Sequence, residues 1–299
     1  MINSSYFFSP FDYKRLTNEI EDLYQYKEYI KIFSIGQSYA GRELFTVRLG
    51  KGEKISLYIG THHALEWGTA QMLTAFIHTY ADGLNNIDID IEKLYNETTI
   101  YIIPMLNPDG TELVINGIDV NNPFYKSVIE MNGGNNFNTW QANIRGVDLN
   151  HNYDALWSKG KLKEHQLGIY DGGPTRYSGE YPESEKECAS LCNFVRDLNP
   201  DLCLALHSQG KEIYYDFNNI LPKNSEYIAN IIAKHTGYTI LKPEGFAGYG
   251  GFKDWFLTEF NKPGFTLEVG EGTNPLTLGQ IEDGYNDIIK TLFELPLLI

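Results

Sequence analysis

The sequence predicts an α/β domain with a mixed, largely parallel sheet covered on both faces by helices. Short apolar runs alternate with stretches of helical period along the chain, which is the pattern of strands and covering helices. Two of the runs read as buried strands, as expected where helices cover both faces of a sheet. No linker-like segment, internal repeat or low-complexity tract divides the 299 residues, so residues 1–299 are read as one domain.

The elements follow in order. Residues 12–27 read as an amphipathic helix. Ile30–Ile35, Leu44–Leu49 and Ile55–Ile59 read as strands, the first two joined by the turn region GQSYAGRE. From Ala64 to Tyr80 the period becomes helical. Thr98–Met105 is a buried strand, closed by Asn107-Pro108-Asp109-Gly110, a strong turn signal. Residues 116–180 are polar, rich in Gly, Asn and Tyr, and show few regular periods; an ordered loop region that builds a cleft is expected there. A helix is expected from Pro182 to Leu198, a strand at Asp201–His207, and helices at Ser225–Thr236 and Phe252–Phe260. A strand at Pro263–Val269 and a helix at Gln280–Leu295 close the chain.

Composition narrows the function. A hydrophobic share of 42% supports a sizeable core. The net charge of −15 repels phosphate backbones and anionic membrane surfaces, which disfavours nucleic-acid and membrane partners. Three cysteines, Cys188, Cys192 and Cys203, do not make a disulfide framework and read as small buried hydrophobes. The start MINSSYFFSPFDYKRL lacks a basic segment followed by a long apolar run, and no stretch of 18 apolar residues occurs. The expectation is no signal peptide, no transmembrane helix and, by default, a cytoplasmic location.

The chemistry gathers at strand ends, where α/β folds place their sites. In ISLYIGTHHALEW a strand ends at Gly60, and His63 and Glu66 follow three residues apart, close enough to converge on one ion. A hydrolytic zinc site takes three protein ligands, from imidazole nitrogen and carboxylate oxygen, and keeps one position open. His207, at the end of DLCLALHSQ, is the best third donor. His62 rivals His63 but stands four residues from Glu66. A lone H-x-x-E is weak, and a lone strand-end histidine is commonly just hydrogen-bonded. Their coincidence at the same sheet edge is what favours a metal. A serine nucleophile is disfavoured because no G-x-S-x-G elbow occurs.

At these residues the chain resembles the zinc metallocarboxypeptidase family. The likeness runs from about Tyr13 to the last helix, through GTHHALEW, IIPMLNPDG, RGVDLNHNY, LALHSQG, GFKDWF and FTLEVG. It implies a three-layer α/β/α sandwich with a mixed sheet and one Zn2+ on His63, Glu66 and His207. It also implies Glu268, in the F-T-x-E strand, as general base and acid. Within the family, the DLNHN, HSQG and EIYY segments are similar to bacterial γ-D-glutamyl-diamino acid peptidases. Those enzymes cut peptidoglycan stem peptides between γ-linked D-glutamate and diaminopimelate or lysine. Members of that type often carry LysM wall-binding modules, and the expectation here is the peptidase domain without one. A small peptide substrate follows from the resemblance; an amidase or deacylase acting on N-acyl amino acids, and a binding protein with lost catalysis, are the alternatives.

Departures from the family pattern are informative. Family members offer an Asn-Arg pair to a terminal carboxylate; here the pair is Asn150-His151, and imidazole is a weaker, pH-dependent partner. A count back from Asn150 puts Gln141 where the family's transition-state arginine stands, so Arg145, the nearest guanidinium, is its substitute. The family's mobile tyrosine counts to Phe246; either Tyr249 replaces it or the role is lost. Lys253, just before Asp254, falls where the family sets side-chain preference. There it would meet an acidic group of the substrate, unless it is a solvated surface lysine.

Overall fold

The computed structural model describes residues 6–85, 89–242 and 248–299. Its strands are β1 (Ile30–Gln37), β2 (Glu43–Gly50), β3 (Lys54–Ile59), β4 (Thr98–Ile103), β5 (Leu202–His207), β6 (Glu212–Tyr214), β7 (Thr239–Ile240) and β8 (Gly264–Glu268). The helices are α1 (Tyr13–Leu23), α2 (Gly68–Asn85), α3 (Ile89–Glu97), α4 (Pro108–Asn116), α5 (Tyr125–Asn132), α6 (Trp157–Gln166), α7 (Lys186–Leu198), α8 (Ser225–Thr236), α9 (Phe252–Phe260) and α10 (Leu278–Glu294). The strands form one mixed sheet in the order β1-β2-β4-β3-β5-β8-β6-β7. The central four, β4, β3, β5 and β8, run parallel, and antiparallel pairs flank them. Their C-terminal ends therefore share one edge.

Strand alternation sorts the core into two layers. Leu202, Leu204 and Leu206 of β5 face one side, where they join Phe76 of α2, Ile232 of α8 and Ile288 of α10. Cys203 and Ala205 face the other, against Cys188, Leu191 and Val195 of α7 and Trp255 and Phe256 of α9. All six residues of β5 are buried. The three cysteines are free thiols inside the core, as their small number implied. Among the described residues no helix is long and apolar enough to cross a membrane.

Local chemistry explains most boundaries. Asp12 caps α1 by accepting from Arg15 N, and Leu16, Ile20 and Leu23 form its buried stripe. Thr277 and Gln280 close a reciprocal capping box at the start of α10.

Four features depart from the sequence expectation. Asn107-Pro108-Asp109-Gly110 is not a free turn: the Asn107 side chain accepts from Gly110 N and Pro108 opens α4. The helix expected from Pro182 begins at Lys186, because Glu183 takes a left-handed φ of 59° and Glu185 is extended. The region 116–180 is ordered as expected but also contains α5 and α6. The helix expected from Ala64 is a short 3-10 turn, Ala64–Glu66, followed by α2.

Candidate active site

Three strand ends deliver the site. After β3 the chain turns sharply at Thr61 (φ 55°), whose N–H donates to Thr69 Oγ1 at 2.8 Å. Leu106 N and Asn107 N donate to the carbonyls of Gly60 and Thr61 and fasten this turn to the end of β4. His63 and Glu66 then stand on the 3-10 turn. His207 is the last residue of β5, and Glu268, the last of β8, is its partner across the parallel ladder.

Three donor groups converge there. His63 Nδ1 lies 2.9 Å from Glu66 Oε1, His207 Nδ1 lies 3.0 Å from Glu66 Oε2, and the two Nδ1 atoms are 3.2 Å apart. Around one zinc with bonds of about 2.0–2.1 Å, tetrahedral donors sit about 3.3 Å from one another. The spacing and the His₂Glu donor set both fit that ion, and among the described residues this is the group able to hold a metal. Burial alone would raise the Glu66 carboxyl, but its interactions with His63 and His207 outweigh burial and pull it down to about 2.

A second carboxylate orients the first ligand. His63 Nε2 lies 3.2 Å from Asp148 Oδ1, which favours a proton on Nε2 and a lone pair on Nδ1 for the metal. Asp148 is buried, and Arg176 N donates to its Oδ2 at 3.0 Å. Burial opposes its charge, but nearby His151 and His63 hold its carboxyl well below the usual range. Sequence reasoning passed over Asp148, although it opens the quoted DLNHN segment. Asp148→Asn is expected to weaken zinc binding about 10–100-fold. Competition against a chelator of known affinity measures this, and unchanged affinity would dismiss the orienting role.

His62 is buried and turned away, with Nε2 3.1 Å from the Tyr153 hydroxyl.

His63 and Glu268 open onto a cavity of about 530 Å3, whose wall includes Asn150, His151, Tyr214, Lys253, Asp254 and Thr266. Phe252 N donates to Asn150 Oδ1 at 3.0 Å, and His151 Nδ1 donates to the carbonyl of Tyr249 at 2.7 Å. Gly250 (φ 73°) lets the chain pass His151 closely: an added Cβ would lie 2.5 Å from its carbonyl oxygen. Lys253 is no surface lysine. It is buried, donating to Asp254 Oδ1 and, at 2.7 Å, to the carbonyl of Asp216. Burial, then the charge on Glu66, raises the Glu268 carboxyl well above its ordinary value.

Two expected residues lie elsewhere. Arg145 does not wall this cavity: its guanidinium sits 4.5 Å over the Tyr39 ring, bonds the Tyr39 hydroxyl, and pairs with Glu180 at 3.7 Å and Glu185 at 3.9 Å. Tyr249 serves His151 through its backbone carbonyl, and it lines an adjacent depression with Leu156, Lys159 and Phe217. Phe246 lies outside the described residues. Tyr214, which the sequence did not single out, stands on the cavity wall with its hydroxyl donating to Glu212 Oε2 at 2.6 Å. Its three-residue strand is too short to give a periodic signal.

An α/β sandwich with a His₂Glu donor set beside a buried carboxylate defines a zinc hydrolase. The chain belongs to the zinc carboxypeptidase family, whose profile matches residues 16–287. It is 33% identical over 284 residues to a γ-D-glutamyl-L-diamino acid endopeptidase of Lysinibacillus sphaericus, covering 93% of this chain and 70% of that one. Among solved structures, a carboxypeptidase A from Helicoverpa armigera superposes with a TM-score of 0.73 at 19% identity, over 98% of this chain and 74% of its own. A murein-tripeptide amidase from Escherichia coli O157 gives 0.54 at 18%, over 88% of this chain and 91% of its own. Both superpositions bear on the fold. The protein is thus a carboxypeptidase-like zinc peptidase.

Proposed function

We propose that this peptidase hydrolyses the amide bond between γ-linked D-glutamate and the diamino acid of peptidoglycan stem peptides. The observation that carries this reading is the charged cavity wall: the space that reaches His63 and Glu268 also presents His151, Lys242, Lys253 and Asp254. An apolar side chain gains nothing from such groups, whereas a peptide carrying free carboxylates and amines meets them with charge-assisted hydrogen bonds. The Lysinibacillus relative, by its name, acts on γ-D-glutamyl-L-diamino acid bonds.

The residues divide the work. Zinc held by His63, Glu66 and His207 supplies a Lewis acid and an acidified water. Glu268 takes a proton from the attacking water and delivers it to the leaving amine. Its raised proton affinity favours the first half of that exchange. With Oδ1 accepting from Phe252 N, Asn150 offers its amide N–H groups to a substrate carboxylate. His151 offers a second N–H only as imidazolium, because Nδ1 already donates to Tyr249. No step is assigned to Arg145.

The test is incubation with L-Ala-γ-D-Glu-meso-diaminopimelate, with and without chelator, and mass analysis of the products. Release of free diaminopimelate that chelator stops and zinc restores is expected. Hydrolysis of N-acyl amino acids with this peptide left intact would overturn the reading.

A further inference from the structure

A second set of donors stands beside the metal ligands but outside the cavity. The segment 174–177 is fastened to the surroundings of His63 at both ends. Gln141 N and Ala142 N donate to the carbonyl of Pro174 at 2.8 and 3.0 Å, and Asp148 N donates to the carbonyl of Tyr177 at 2.8 Å. Arg176 N returns a bond to Asp148 Oδ2 at 3.0 Å. Asp148 Oδ1 is the atom that meets His63 Nε2, and Ala64, the residue after His63, donates through its N–H to the carbonyl of Gln141 at 2.9 Å. Gln141 and Arg176 therefore both adjoin the turn that carries the first metal ligand. Neither lines the cavity of about 530 Å3.

What these two side chains offer is donors alone. Thr175 Oγ1 donates to Gln141 Oε1, so the oxygen of that amide is used and its Nε2 donates to nothing among the described residues. The Arg176 side chain is exposed, and its guanidinium makes no hydrogen bond or ion pair among the described residues. Acids outnumber bases 39 to 24 in this chain, and Arg15, Arg42, Arg145 and Arg196 each meet one. A shortage of acidic partners is therefore not the reason that Arg176 stands alone. Its backbone also holds a left-handed φ of 69°, unfavourable for an arginine and kept only where surrounding bonds impose it. The two bonds to Asp148 on either side of the Arg176–Tyr177 peptide impose it here.

Resting on the cleavage site proposed above, we infer that Arg176, together with the Gln141 amide, binds the free α-carboxylate of the γ-linked glutamate on the acyl side of the scissile bond. The cavity takes the leaving amino acid, so the acyl residue extends from the metal over residues outside it. A glutamate joined through its γ-carboxyl keeps its α-carboxyl out of any peptide bond and presents an anion close to the reacting carbonyl. An α-linked residue presents a neutral amide instead. A guanidinium is charged at every working pH and matches a carboxylate through two parallel N–H groups. A carboxamide in place of that carboxylate would turn its own N–H2 toward a pair that only donates, which is a penalty against the wrong substrate as well as a lost attraction.

The experiment compares kcat/KM of the intact zinc enzyme on L-Ala-γ-D-Glu-meso-diaminopimelate and on the same peptide with its glutamyl α-carboxyl amidated. The acid is expected to exceed the amide by about 10–100-fold, the scale of a lost hydrogen bond to a charged group. In Arg176→Gln the ratio is expected to shrink to within about threefold through loss of rate on the acid alone, and Arg176→Lys is expected to restore part of it. Zinc content and thermal unfolding of each variant separate lost recognition from lost folding. If Arg176→Gln does not fold, the wild-type ratio and Arg176→Lys decide. Equal rates of the wild type on the two peptides would overturn the carboxylate-binding role and leave the cleavage site standing. So would a folded Arg176→Gln that keeps the ratio, or one that slows both peptides equally, since the guanidinium would then serve the reaction and not the choice of substrate. Failure to cut either peptide would overturn the cleavage site, and this inference with it.

Discussion

Glu268→Gln is expected to lower kcat about 10²–10⁴-fold while zinc stays at one ion per chain, the range of a lost positioned acid–base group. The amide keeps the shape of the carboxyl but cannot take a proton from the attacking water. Glu268 stands apart from the three converging donors, so the metal has no reason to leave. The side chain is held at the end of β8, whose neighbours β5 and β6 fix its backbone on both sides. Steady-state kinetics beside elemental analysis tests this. Unimpaired turnover in zinc-loaded Glu268→Gln would remove Glu268 as the proton carrier.

His207→Ala should have the other large effect, near-complete loss of zinc and of activity with the fold intact. Two donors would remain on the short turn after β3, and a structural or catalytic zinc needs at least three from the protein. The Glu66 carboxylate would also lose one of the two imidazoles that hold it ionised. The backbone of β5 would still pair with β3 and β8, so the sheet has no cause to break. Zinc measured after dialysis against a weak chelator decides the matter: full occupancy would strike His207 from the ligand set.

Much of this arrangement could be read from the residues. The ligand set was legible because two of its members are three residues apart and the third ends an unbroken apolar run, LCLALH. Strand direction then put them at one edge, which required only that β3 and β5 be parallel. Asp148 was not legible as a partner of His63, because its contact crosses 85 residues of chain and depends on a loop with no periodicity. Counting along that same loop reaches Gln141, and Arg145 follows only as the nearest guanidinium; the fold sets that guanidinium against Tyr39 and two glutamates. The state of Lys253 could not be read locally either, since its partners include the carbonyl of Asp216, 37 positions away. Positions could be read where a motif or a regular element fixed them, and partners brought in from distant stretches of chain could not.

The pairing of His207 with Glu268 across neighbouring parallel strands has a consequence for how such an enzyme diversifies. The distance between metal grip and proton carrier is ruled by the spacing of adjacent strands, about 4.8 Å, and not by any loop. The surrounding segments can therefore lengthen, shorten or change their charges over generations without retuning the reactive centre. A descendant could acquire a new diet by altering Asn150, His151 or Lys253 alone, and the scissors would stay sharp.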